Sequence, residues 1–191
     1  MKRVVVIASG ETERKALPSL LAHLAEESIL LSDVRTPPHH RKLDAPMAAR
    51  LVAAAHWSSI PRPDKFVVLV DADGQDPLAI APAMQRELAG LCQVISIPIL
   101  VTAAKWHLEA WFFADGPGLR AFLARDLGNV DGSNPDAIAN SKAHLKNLFA
   151  QTYTARIAGL IAGALSAVAI RQTSPSFRRF EAAIRNGGTE E

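Results

Sequence analysis

The chain has 191 residues, 49% of them hydrophobic, with 21 basic and 19 acidic side chains and a net charge of +2. The length supports one domain with a sizeable core, and the hydrophobic share excludes a disordered chain. The charge is too even for nucleic-acid binding by bulk attraction, and the single cysteine, Cys92, excludes an internal disulfide and fits a reducing cytoplasm.

Met1-Lys2-Arg3 leads into Val4 to Ala8, an apolar run too short for a secretory segment and suited to a first strand. Ser9-Gly10 turns the chain into a helix over 11–25, with Ala16, Leu17, Leu20, Leu21 and Leu24 as its apolar stripe. Ile29-Leu30-Leu31 reads as a short second strand. Thr36 to His40 is a loop that enters a basic patch, His39-His40-Arg41-Lys42. Pro46 to Trp57 is a helix, and Ile60-Pro61-Arg62-Pro63-Asp64 is a stiff connector.

Phe66 to Val70, with three valines, reads as a strand buried on both faces. It ends in Asp71-Ala72-Asp73-Gly74. In extended chain the two aspartates point to the same side, roughly 6–7 Å apart, and repel by about 2–3 kcal/mol at an effective dielectric near 20. A divalent cation relieves that repulsion; a solvated acidic turn does without one. Asp76-Pro77 supplies the N-cap and first residue of a helix that Gly90 closes. Val94 to Thr102 is a strand, and Pro98 puts it at a sheet edge or a bulge. Cys92, in an apolar run, reads as a small core residue.

Helices are expected over Trp106–Ala114, Leu119–Leu127 and from Asn134-Pro135 to Ala150. The apolar run Ile157 to Ile170 is too short for a membrane span and reads as a buried helix. The tail is helical to Arg185 with a break at Thr173-Ser174-Pro175, and Asn186 to Glu191 frays. The order β-α-β-α-β-α-β followed by helices predicts an α/β fold with a mostly parallel sheet flanked by helices. We expect a single domain over 1–191, with the sheet core in 1–115 and a helical C-terminal third over 116–186 as a cap.

Such sheets place ligands at their carboxyl edge, where the Ser9-Gly10 and Asp71-Asp73 turns both open. Glu11 and Glu13 stand in a first helical turn, where acids complement the macrodipole by about 0.3–1 kcal/mol each. Together with the aspartates they also suit a hard cation such as Mg²⁺. Lys105 neutralises a phosphate or is solvated. His107 is a base or ligand candidate, two residues from Glu109 and so not on its helical face. Trp106 and Trp111 read as core, and His23, His56 and His144 as structural. Arg171, Arg178, Arg179 and Arg185 form a second basic cluster. Ser174-Pro175-Ser176 starts the helix that carries Arg178 and Arg179, a phosphate contact or a solvated face. No G-x-x-x-x-G-K-[ST] loop is present in the sequence.

Gly10-Glu11-Thr12-Glu13 after the first strand and Asp71-Ala72-Asp73-Gly74 after a later one resemble the Toprim-like pattern "E-G-x-T-E … D-x-D-G" of topoisomerases, primases and the overcoming-lysogenization-defect (OLD) nucleases. A tighter resemblance, to a bacterial Toprim-like family catalogued as a domain of unknown function, adds Glu109-Ala110-Trp111-Phe112-Phe113-Ala114-Asp115, the Pro135 helix with Lys142, Tyr153-Thr154 and Ser174-Pro175-Ser176-Phe177-Arg178-Arg179-Phe180. It spans nearly the whole chain. The resemblance implies a Toprim-like sheet and a nuclease or nuclease-like subunit with metal-dependent phosphodiester chemistry. Glu13, Asp71, Asp73 and Glu109 are then the ligands of Mg²⁺ or Mn²⁺. Glu13, Asp71, Asp73 and Lys105 act in catalysis, Glu11 and Asp115 are further acids of the site, and Arg178 and Arg179 meet phosphate. It further implies nucleic acid as a partner, a role in bacterial defence against phage, an ATPase partner in trans, no membrane, and a cytoplasmic protein.

Ser9 stands where the pattern has its first glutamate. Three readings stay open: Glu11 or Glu13 substitutes, the metal is held more weakly, or the site is degenerate and the chain is a non-catalytic binding or assembly module. A phosphohydrolase of small molecules, using the same acidic edge, is the remaining alternative.

Overall fold

A computed structural model describes residues 1–38, 41–127, 131–149 and 152–186. Strands β1 (Lys2–Ile7), β2 (Ile29–Arg35), β3 (Lys65–Asp71) and β4 (Ile99–Ala104) form one parallel sheet in the order β2-β1-β3-β4. Alternation along the two central strands divides the core. Val4, Val6, Val67 and Leu69 face one layer, and Val5, Ile7, Phe66, Val68 and Val70 face the other. Helices α2 (Ala45–Ser58) and α3 (Pro77–Leu91) cover the second face. The first face is covered by α1 (Glu11–Leu20), α4 (Glu109–Ala114) and the C-terminal helices, with Trp111, Phe177 and Phe180 buried among them. This is the α/β architecture expected, with a parallel sheet, flanking helices and a helical C-terminal portion.

Several boundaries differ from the sequence reading, each for a local reason. β2 runs on to Arg35 because an edge strand tolerates polar residues. Ser32 is the bulge residue between the pairs Val4↔Leu31 and Val5↔Asp33, and its hydroxyl donates to the Val4 carbonyl at 3.1 Å. The first helix ends at Leu20 and tightens into a 3₁₀ turn, Ala22–Glu27, which still buries Leu24. The last strand begins only after Pro98, at the sheet edge that the proline implied. The Gln85 side-chain amide completes that edge, donating to the Ile99 carbonyl at 2.9 Å and accepting from the Val101 N–H at 2.7 Å. Gly90 lies inside α3, and Cys92 follows it as the cap; burial raises the Cys92 thiol pKa.

The greatest revision is at Asp115-Gly116-Pro117-Gly118, which reads as a helix stop. It is a helix start. Asp115 caps α5 (Gly116–Leu123) by accepting the Gly118 N–H at 3.0 Å, with Pro117 in the first turn. The Pro135 helix divides at Asn140, whose φ of 53° separates a 3₁₀ turn, Pro135–Ala137, from α6 (Ser141–Leu148). The apolar run 157–170 is two helices, α7 (Ala155–Ala164) and α8 (Ala167–Thr173), bent by 92°. Ser166 caps α8 and its N–H donates to Asp115 Oδ2 at 2.8 Å. The expected break follows, and α9 (Pro175–Arg185) starts on the Ser174 cap. Among the described residues no single helix is long and apolar enough to cross a membrane. His39, His40, Ala150 and the expected fraying of 187–191 lie outside the described residues.

Candidate functional site

The strands are parallel, and β3 runs beyond the end of β1 to finish level with β4. Ile7 pairs with Val68 and Asp71 with Ala104, so the segments leaving β1, β3 and β4 share one edge. After β1, Ser9 and Gly10 lead into α1, where Glu13 is the third helical residue. Its side chain is 6% exposed, and its carboxylate accepts its own backbone N–H.

Asp71 is the last residue of β3 and is half-buried. The chain then folds into a turn closed by the Gln75 N–H on the Ala72 carbonyl at 2.8 Å. Its central residues, Asp73 and Gly74, both have positive φ, 49° and 84°. Gly74 is required twice over: its φ suits glycine, and a Cβ there would lie 2.4 Å from the Trp106 ring. The turn corrects the expectation that Asp71 and Asp73 project together from extended chain. Strand alternation stops at Asp71, and Asp73 sits exposed in a left-handed turn.

Glu109 opens α4 and is 1% exposed. It accepts the Tyr153 hydroxyl at 3.3 Å, and the Lys142 ammonium of α6 stands 3.6 Å away. Burial, then the charge of Glu109, raises the Tyr153 pKa.

Glu13, Asp71 and Glu109 share one electrostatic field. Burial raises the Glu13 pKa from 4.5 to about 8, aided by the charges of Asp71 and Glu109 and opposed by its own N–H and Lys142. Burial also raises Asp71 from 3.8 to about 6. His107 opposes that rise, Glu109 adds to it, a hydrogen bond from Ser9 opposes it, and Asp73 adds slightly. Deprotonating these acids is therefore unfavourable first because they are buried and second because neighbouring carboxylates repel them. An all-oxygen donor set in a negative field fits a hard cation such as Mg²⁺ or Mn²⁺. The set is open: among the described residues no three Asp, Glu, His or Cys side chains stand close enough to hold a metal by themselves.

The other expected residues have structural work to do. Glu11 is exposed and pairs with Arg14 at 2.7 Å. The Lys105 ammonium donates to the Gln75 carbonyl at 2.9 Å, and its own carbonyl accepts the Gly74 N–H at 2.8 Å, so Lys105 staples the aspartate turn. Both Asp115 oxygens bind backbone N–H groups, of Gly118 and Ser166. Arg178 donates to the carbonyls of Arg171 and Gln172 at the end of α8, at 3.0 and 3.1 Å. Arg179 lines a separate groove of about 690 Å³ between α3, β4 and α9.

A family model described as "Domain of unknown function (DUF4276)" matches residues 9–185, a span that includes Ser9, Glu13, Asp71, Asp73, Glu109, Lys142 and Tyr153. The chain belongs to the DUF4276 family. Among solved structures this DUF4276 chain is similar to the C-terminal region of the Burkholderia pseudomallei OLD protein. They are 19% identical, 96% of this chain and 99% of that one are covered, and the TM-score is 0.49. It is also similar to the C-terminal region of the Xanthomonas campestris pv. campestris OLD protein, 16% identical over 97% of each chain, with a TM-score of 0.47. No curated protein matches it.

Three contacts of this DUF4276 edge escape sequence reading: Ser9 on Asp71, Lys142 on Glu109, and Tyr153 on Glu109. They join segments far apart in the chain, and no local pattern announces them. His107, read as a base or ligand candidate, stands where its ring field reaches Asp71, and its buried Nδ1 has no hydrogen-bond partner among the described residues.

Proposed function

We propose that this chain is a metal-dependent nuclease or nuclease-like subunit that acts on phosphodiesters at the carboxyl edge of the sheet. The observation that supports it most is the gathering at one edge of three carboxylates from three segments, Glu13, Asp71 and Glu109, where burial first and neighbouring carboxylates second lift Glu13 to about 8 and Asp71 to about 6. Structural ion-pair networks also perturb carboxylates, but those carry matching cations; here the acids outnumber them. The Toprim-like spacing of Glu13, Asp71 and Asp73 supports the same reading.

In this account Glu13, Asp71 and Glu109 would hold Mg²⁺ or Mn²⁺ together with water or substrate oxygens, since no three of the described side chains reach one ion by themselves, and exposed Asp73 would add an oxygen donor at the mouth. When bound, such a cation supplies Lewis-acid polarisation of the phosphoryl oxygens and of an attacking water. The remaining residues orient and balance. Ser9 donates to Asp71, Tyr153 fixes Glu109, and Lys142 places a positive charge beside Glu109, where a phosphate arrives. Lys105 acts by holding the Asp73-Gly74 turn. Nucleic acid is the substrate class proposed, with a bacterial defence role, a cytoplasmic location and an ATPase partner in trans.

Plasmid nicking in Mg²⁺ or Mn²⁺ tests this. Asp71→Asn is expected to lower the rate by more than about a hundredfold, because even outer-shell partners of a metal are worth about 10–100-fold. No cutting by pure protein, with or without an ATPase partner, contradicts the reading. One observation favours a second reading, a binding or assembly module without catalysis: Ser9 replaces an expected carboxylate and uses its hydroxyl on Asp71. Metal binding without any cutting selects that module. Activity on nucleotides but not on polymers selects a small-molecule phosphohydrolase.

A further inference from the structure

The geometry points to a phosphate subsite in the cleft beside the carboxylates, on the β1–β2 side, which holds the nucleic-acid strand next to the bond that is cut. This inference rests on the function proposed above. The cleft has a volume of about 650 Å³ and lies at the carboxyl ends of β1 and β2, between the Ser9-Gly10 turn and Arg35 to Pro38. It shares a wall with the carboxylate cluster: Ser9 lines the cleft while its hydroxyl bonds Asp71.

The charge changes sign across that wall. Three guanidiniums, Arg14, Arg35 and Arg41, line the cleft against two carboxylates, Glu11 and Asp33. Those carboxylates also position their partners. Glu11 holds Arg14 at 2.7 Å, and Asp33 holds Arg35, while the arginine side chains stay 46% and 38% exposed. Ser58 gives Arg35 a further, longer contact at 3.5 Å. Gly10 and Glu11, the start of α1, line the same cleft and add the partial positive charge of a helix end. A planar guanidinium held in place by one oxyanion is suited to bind a second, and phosphate matches its fork. A strand whose scissile phosphate meets the carboxylates therefore passes its neighbouring phosphate over Ser9 to the arginines.

The shared chemistry is a phosphate monoanion or diester, carried by a polynucleotide or by a free nucleotide. Anisotropy of a fluorescein-labelled single-stranded DNA, titrated with the full chain in EDTA, reads the cleft without any metal-dependent step. The double variant Arg35→Glu, Arg41→Glu is expected to bind about tenfold or more weakly. The slope of log affinity against log salt should fall by about 0.7 for each phosphate contact removed. The double variant Arg50→Glu, Arg86→Glu, the same charge change at exposed positions of α2 and α3, should bind as wild type. If circular dichroism shows the double reversal unfolded, Arg35→Gln with Arg41→Gln carries the same expectation with a smaller loss. Wild-type affinity in these variants overturns the subsite. Variant-sensitive binding of adenosine monophosphate, with DNA binding unmoved, overturns its assignment to a polymer. The two claims fail separately: a nicking rate that Asp71→Asn leaves unchanged sinks the proposed reaction, whereas nicking with variant-insensitive DNA binding sinks the cleft alone.

Discussion

Glu13 and Asp71 tie the stability of the fold to pH. Both pKa values are raised in the folded chain, Glu13 from 4.5 to about 8 and Asp71 from 3.8 to about 6. The folded state therefore binds more protons than the unfolded state between those values, and stability falls as pH rises through that window. What the two groups contribute is full below about pH 4, declines through about 6 with Asp71, and is lost through about 8 with Glu13. Urea unfolding of the metal-free protein should show this decline, and Glu13→Gln should remove its upper part and unfold at higher urea than wild type above pH 8. Equal slopes for the two proteins would contradict the assignment. Tyr153→Phe removes the hydroxyl that fixes Glu109 and should weaken divalent-cation binding by about tenfold in calorimetry, with the fold intact. Glu13, Asp71 and Glu109 were legible in sequence because each stands at the exit of a strand pattern or in a resemblance motif. Tyr153 reaches Glu109 across 44 residues, and nothing local marks that contact. The paired projection of Asp71 and Asp73 does not form because Asp-Gly prefers positive φ, and the strand ends at Asp71, two residues before Asp73.

At the scale of elements, caps explain most of what periodicity missed. Apolar stripes located nearly every helix, but the ends depend on single hydrogen bonds that come from elsewhere in the fold. Asp115 starts α5 and also binds the Ser166 N–H, so one carboxylate fixes two helix starts. Asp136 does the same for α9. It accepts the Ser174 hydroxyl at 3.0 Å, the Ser176 hydroxyl at 2.7 Å and the Ser176 N–H at 2.9 Å; Ser176 in turn accepts the Trp111 indole N–H at 2.8 Å. The Ser174-Pro175-Ser176 motif is thus a helix start locked to the aromatic core, as its sequence suggested. Its arginines are the part sequence could not place, since Arg178 satisfies the end of α8. Asp136→Ala leaves two hydroxyls and an N–H without their acceptor. It should cost about 2–3 kcal/mol, read as a lower melting temperature. An unchanged melting temperature would mean the motif is held otherwise.

Over the whole molecule, a parallel sheet sends every connecting segment out at the same edge, and this gathers acids that are distant in sequence. The alternation of hydrophobic residues and the strand–helix order made that layout readable. The helical third closes over it through contacts sequence does not show. Buried Glu181 binds Arg171 and meets Arg185 at 2.8 Å and His23 at 2.5 Å, fastening α8 and α9 to the turn after α1. At the opposite edge of the sheet, Lys65 donates to the Ala183 carbonyl at 2.8 Å and anchors the end of α9. The scaffold is complete without a cation, while the acidic edge keeps its buried carboxylates within reach of one another. A ligand that binds only the folded chain stabilises it in proportion to its occupancy. The most direct test of the account is therefore the melting temperature above pH 8 as Mn²⁺ or Mg²⁺ is added. The account predicts a saturable rise in wild type that Asp71→Asn abolishes. A melting temperature indifferent to either cation, or an equal rise in the variant, would contradict it.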